Sequence, residues 1–135
     1  SNNKNIIHNN GKLIKDGKHI AKFQHDLLPG LYLRRMILAK GGYVVGGIHK
    51  RDHVWFLLAG HITVATSEGK KDYVAPYMGF SKAGTQRVIH AHEDSIFQNV
   101  FQNPFEYKNL DKLDEHNYSL TKEDYDNFIR NNNRT

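Results

Sequence analysis

The stretch Gly47-Ile48-His49-Lys50-Arg51-Asp52-His53-Val54-Trp55-Phe56-Leu57-Leu58-Ala59-Gly60-His61-Ile62-Thr63-Val64-Ala65-Thr66 decides the fold. Residues 54–59 and 61–66 are two runs rich in β-branched, aromatic and other apolar side chains, separated by the single Gly60. A one-residue break leaves no room for a crossover helix, so two strands joined by a turn are expected. Reading outward, the same theme recurs on both sides. Residues 31–39, 43–49, 72–75, 78–81, 87–91 and 95–101 are β-rich runs, punctuated by Pro29-Gly30, Gly41-Gly42, Ser67-Glu68-Gly69-Lys70, Pro76, Ala83-Gly84-Thr85 and Pro104. Short strands at this spacing predict a closed or double-sheet β architecture.

The flanks read differently. Asn9-Asn10-Gly11 and Asp16-Gly17 are two-residue hairpin signals, so residues 1–30 are expected to form N-terminal strands and hairpins packing on a barrel of residues 31–103. Residues 104–135 are expected to form a short helical tail. Asn109 can cap a turn of helix, and Thr121 opens a second helix reaching about residue 130. On that helix Tyr125, Phe128 and Ile129 make an i, i+3, i+4 apolar stripe.

Composition narrows the function classes. With 39% hydrophobic and 24% charged residues in 135, the chain fits one folded domain. It has no apolar run long enough to cross a bilayer and no leader-like N-terminus, which predicts a cytoplasmic protein with no membrane partner. There are no cysteines, so disulfides and thiolate metal ligation are excluded. The net charge of +5 favours an anionic partner. The basic residues are scattered, however, and Lys12, Lys15, Lys18 and Lys22 lack an aromatic platform, which argues against nucleic acid.

Residues 47–99 resemble the cupin superfamily. Cupins carry a first motif close to G-x5-H-x-H-x(3,4)-E-x6-G and a second close to G-x5-P-x-G-x2-H-x3-N. Here Gly47-Ile48-His49-Lys50-Arg51-Asp52-His53, followed after six residues by Gly60, is similar to the first. Gly79-Phe80-Ser81-Lys82-Ala83-Gly84-Thr85-Gln86-Arg87 is similar to the second. Under this resemblance His49 falls at the family's second histidine, His53 at its glutamate, Gly47 at its first histidine, Lys82 at its proline and Arg87 at its last histidine. The segments 48–64 and 83–94 also resemble uncharacterised cupin-like proteins of tailed bacteriophages, which implies the host cytoplasm or the virion. The resemblance implies an all-β, cupin-like antiparallel β-barrel (a double-sheet jelly roll) with a short C-terminal helical tail.

Three readings of the barrel mouth follow. His49 and His53 are candidate ligands for one divalent transition metal, with Gln86, Gln98, Asn99 or Asp52 as further donors. Alternatively Arg87, with Trp55, Gln98 and Asn99 beside it, holds a small anionic molecule, and the permanent charge of Arg87 opposes a dication there. In the third reading the histidines only cap strand ends. If Arg87 points inward, strand parity turns His90 and His92 outward; His61 carries no specific signal. No Ser-His-Asp, Cys-His or paired-carboxylate pattern is visible, so whether the chain is an enzyme stays open. Val54, Phe56 and Leu58 need a second cover, either another part of the fold or a partner chain, and because cupins frequently pair through a sheet the resemblance implies a homodimer. A non-catalytic phage-type assembly protein is the alternative to a ligand-binding barrel.

Overall fold

The computed structural model describes residues 21–132 in full and, before them, only the strand backbone at Ile6–His8 (β1), Ile14–Lys15 (β2) and Lys18–His19 (β3). The hairpin turns expected at Asn9-Asn10-Gly11 and Asp16-Gly17 lie outside the described residues.

Alternation builds the first sheet. In Leu31–Leu38 (β5), Tyr32, Arg34, Met36 and Leu38 are buried while their neighbours are not. Ser95–Gln102 (β13) buries Ser95, Phe97, Asn99 and Phe101 in the same way. These two strands pair antiparallel. With Ala21–Leu28 (β4), His53–Ala59 (β8) and Tyr77–Ser81 (β11), they form a sheet of order β11-β8-β13-β5-β4. The opposing sheet has the order β1-β6-β12-β9-β10, adding Tyr43–Val45 (β6), Val88–Ala91 (β12), His61–Thr66 (β9) and Gly69–Val74 (β10). Its pairings are antiparallel except that of β1 with β6.

The two inner faces meet in one apolar core. Met36, Leu38, Trp55, Leu57 and Phe97 come from one sheet, and Val44, Ile62, Val64, Ile89 and Ala91 from the other. The antiparallel double-sheet barrel predicted from the sequence is therefore present, and two short helices follow it. Gly60 turns β8 into β9 with φ of 92°, and a Cβ there would lie 2.2 Å from Ser95 Oγ, so the turn requires glycine.

One element differs from expectation. Residues 43–49 are not one strand: the chain breaks at Gly46-Gly47 and resumes as Ile48–His49 (β7), which leaves the sheet to pair with Tyr118–Ser119 (β14). The first sheet also takes in β4, a mostly exposed edge strand drawn from the N-terminal residues expected to pack on the barrel. Its polar residues Lys22, Gln24 and Asp26 gave no apolar run to read. The helical tail expected from the sequence is present and packs on the barrel. Leu113 of Leu110–Asn117 (α1) and Tyr118 pack with Tyr32 and Phe101 in a second buried cluster. Lys50 and Arg51 donate to the Glu115 and His116 carbonyls at the end of α1, where the helix leaves acceptors open. Lys122–Asn132 (α2) then lays Phe128 under the cations of the same two residues. No helix among the described residues is long and apolar enough to cross a membrane.

Gly79 of β11 lies directly beneath the Trp55 ring, and a Cβ there would fall 2.1 Å from two ring carbons. Gly79→Ala is therefore expected to destabilise the protein by about 1–3 kcal/mol through overpacking. The urea midpoint checks this, and an unchanged midpoint would show that the tryptophan can yield.

Candidate functional site

Four inward positions converge at one end of the core. His53 begins β8, Asn99 lies in β13, His49 ends β7, and Arg87 immediately precedes β12. Each is buried. Backbone bonds fix their approach: His49 N–H donates to the Thr85 carbonyl at 3.0 Å, Gly84 N–H to the His49 carbonyl at 2.7 Å, and Gly46 N–H to the Arg87 carbonyl at 3.0 Å. The segment carrying Arg87 is thus zipped to the segment carrying His49.

The guanidinium of Arg87 sits at the centre. Its Nη2 lies 3.0 Å from His49 Nε2, 3.3 Å from His53 Nε2 and 3.0 Å from Asn99 Oδ1, and its Nη1 donates to Ser81 Oγ at 3.1 Å. His53 Nε2 is also 2.9 Å from Asn99 Oδ1. Donor counting fixes the consistent protonation. Nη2 gives its two hydrogens to His49 Nε2 and Asn99 Oδ1, and His53 donates Nε2–H to the same amide oxygen. His49, which accepts at Nε2, must then be neutral. His49 carries its hydrogen on Nδ1, which is buried without a hydrogen-bond partner among the described residues. The two rings stack at 4.1 Å.

Electrostatics enforce this state. Burial, and then the charge of Arg87, push His49 well below the usual imidazole range. The same two causes bring His53 down to about 4, partly offset by its bond to Asn99. Burial lowers Arg87 itself to about 10, so it remains a cation near neutrality. Among the described residues no carboxylate forms an ion pair with it. Neutral acceptors and aromatic faces hold the charge instead: the guanidinium carbon lies 5.0 Å from the Phe97 ring centre and 6.0 Å from that of Trp55.

Two cavities meet at Arg87. An inner one of about 40 Å³, between the sheets, is lined by Arg34, His49, Arg87, Asn99 and Tyr118 among others. An outer groove of about 640 Å³ has Trp55, Tyr73, Ser81 and Arg87 in its wall and Lys71 and Lys82 among its lining residues. Tyr125 of α2 closes one side, its hydroxyl over Gly84.

Of the residues singled out in the sequence, His49, His53, Arg87 and Asn99 come together, and Trp55 is beside them. Gln98 does not join them. It occupies the outward phase of β13 and accepts from Arg35 Nε at 3.1 Å. Asp52 accepts from Ala83 N–H and Gln86 donates to the Gly46 carbonyl, so both are engaged in holding loops. Ser81 and Tyr118 were missed. Ser81 shares the inward parity of His53, its partner across β8 and β11, which was a usable signal.

A divalent metal does not fit this donor set. The two imidazole Nε2 atoms face a guanidinium nitrogen, no carboxylate among the described residues completes the set, and Gly47 stands where a further histidine would be needed. A Cβ at Gly47 would already meet Tyr118 and the Ser119 carbonyl at 3.3 Å. The tail strand occupies the space that a ligand side chain would take.

No protein-family model matches the chain, and no curated protein matches it in sequence. Solved structures do. A cupin superfamily protein from Desulfitobacterium hafniense aligns with a TM-score of 0.57 at 14% identity, over 67% of this chain and 84% of that one. A cupin 2 domain-containing protein from Halorhodospira halophila gives 0.55 at 17%, over 66% and 73%. Salicylate 1,2-dioxygenase from Pseudoaminobacter salicylatoxidans gives 0.59 at 11%, over 73% of this chain and 29% of that much longer one. At such identities the likeness speaks for the backbone alone, and that backbone is the cupin barrel.

Proposed function

We propose that this cupin barrel binds a small anionic molecule, carboxylate or phosphate in type, in the outer groove, with Arg87 as its anchor and no metal at the histidines. One observation carries the reading: a buried, charged guanidinium in the groove wall has no carboxylate partner among the described residues. Only three of its five N–H donors have protein acceptors among the described residues. A buried cation of this kind costs several kcal/mol unless a counter-charge or further acceptors meet it. An anion entering between Lys71 and Lys82 supplies both. Trp55 and Tyr73, edge to face at 5.1 Å, give the groove an apolar wall suited to a ring or carbon chain on the same ligand.

His49, His53 and Asn99 act as positioning groups. His49 offers a lone pair and Asn99 an amide oxygen to the guanidinium, and His53 holds that amide through Nε2–H, leaving the remaining guanidinium donors for the ligand. Nothing in this arrangement supplies a nucleophile, and the neutral imidazoles are committed to Arg87 and Asn99, so binding rather than turnover is the activity assigned.

A second reading rests on a different surface. The outward phase of β8 and β11 aligns Val54 with Phe80 and Phe56 with Met78. Leu58 is 49%, Phe80 59% and Met78 64% exposed. An apolar sheet face of this kind favours a partner, and a second copy matches it because a two-fold axis sets the same patch against itself. This is also the surface that a phage-type assembly role would use.

Three outcomes are expected. Inorganic phosphate, gluconate and benzoate serve as probes. At saturation at least one of them should raise the melting temperature of the wild-type protein by several degrees, and Arg87→Met, which keeps the volume and removes the charge, should abolish the rise while remaining folded. A rise that survives in Arg87→Met, or none with any probe, would falsify the anion site.

Stability should also fall in acid. The folded state holds His49 and His53 below their unfolded value near 6.5, so the unfolded chain binds more protons as pH drops. The neutral pair therefore contributes fully above about pH 6.5, and that contribution is lost as pH falls toward 4. His53 alone accounts for about 3 kcal/mol over that window. Urea midpoints that stay level from pH 7 to pH 5 would contradict neutral, guanidinium-bound imidazoles.

For the sheet face, light scattering at micromolar concentration should find a dimer of the 15.6 kDa chain that Met78→Asp with Phe80→Asp converts to monomer. A wild-type monomer removes this reading.

A further inference from the structure

The outer face of the second sheet gathers a set of side chains that the groove does not use. Strand parity and register place them. Where Ile62, Val64, Ile89 and Ala91 point inward, His61, Thr63, His90 and His92 point outward. Thr63 is paired with Asp72 on one side and His90 on the other. His92 N–H donates to the His61 carbonyl at 2.9 Å, which puts these two histidines side by side on neighbouring segments.

The result is a cluster of two imidazoles and one carboxylate. One donor atom each from His61, Asp72 and His92 can be chosen so that all three lie within 4.8 Å of one another. His61 Nε2 is 3.7 Å from Asp72 Oδ2, and the His61 and His92 rings lie 4.4 Å apart. A tetrahedral ion with bonds of about 2.0–2.3 Å spaces its ligands about 3.3–3.8 Å apart. The set therefore needs only a modest side-chain rotation to close on an ion. Thr63 Oγ1 lies 2.5 Å from both Asp72 Oδ1 and His92 Nε2. It donates to the carboxylate and is placed to orient it, the role that outer hydrogen bonds play at metal sites. Behind His92, His90 packs at 4.6 Å and is itself stacked on Tyr43 at 4.1 Å, which limits the motion of the ring.

We infer that His61, Asp72 and His92 form a binding site for a divalent transition metal of the zinc type on the outside of the barrel, separate from the groove. Two imidazole nitrogens with one carboxylate oxygen suit such ions better than calcium or magnesium, which take mostly oxygen donors. Three protein ligands leave at least one position for water or an outside group. On binding, the ion takes the place of the hydrogen that His92 Nε2 shares with Thr63, and the ring carries its hydrogen on Nδ1 instead, so it stays neutral. The inference is independent of the anion reading, because these residues line neither cavity described above.

Calorimetric titration of the full chain with zinc tests it. The wild-type protein and the Arg87→Met variant should take up one equivalent. His61→Ala, Asp72→Asn and His92→Ala, all on an open sheet face, should keep the fold by circular dichroism and each weaken binding by about tenfold or more. Absence of binding to the wild-type protein at millimolar zinc overturns the site. So does one-equivalent binding that persists unchanged through all three substitutions, because the ion is then held elsewhere.

Discussion

A guanidinium buried without an acid governs the interior of this protein. A cation in a dry core must be met by something, and here it is met by lone pairs rather than by charge. That single condition dictates its neighbours. His49 has to be neutral to accept a hydrogen bond from Nη2, Asn99 has to turn its oxygen inward, and Ser81 has to offer its hydroxyl. The backbone contacts among residues 46, 49, 84, 85 and 87 follow the same need, because a slip of one residue would turn either His49 or Arg87 out of the cluster.

The second sheet shows how period-two geometry separates two chemistries within one thickness of backbone. Its inner face is apolar apart from the Arg87 end, while its outer face carries histidine, threonine and aspartate in register. The charge inside is permanent and enclosed. The groups outside face solvent. Neither set depends on the other, since they share strands but not a face.

Much of this was legible in the chain itself. The runs on either side of Gly60, and the succession of Gly and Pro stops, announced a β-barrel, and parity from Arg87 correctly turned His90 and His92 outward. Parity also separates Asn99 from Gln98, since Phe97 and Phe101 share the phase of Asn99. Other features had no local signal. The strand β4 is an edge whose exposed residues show no apolar run. The pairing of β7 with β14 joins residues seventy apart through two-residue strands too short to carry any periodicity. The outer cluster escaped because Asp72 and His61 approach His92 only through cross-strand register, which single-chain spacing does not encode.

Tyr118 against Gly47 has a consequence for anyone wishing to convert the barrel into a metalloprotein. Replacing Arg87 by histidine alone would remove the cation yet leave an incomplete coordination sphere. Introducing histidine at 47 alone would drive a ring into the tail strand, prising β14 from β7 while the guanidinium still repelled the ion. The two changes have to arrive together, and with a shortened or redirected C-terminal segment. Neither single change yields a metal centre, so the conversion requires several coordinated substitutions.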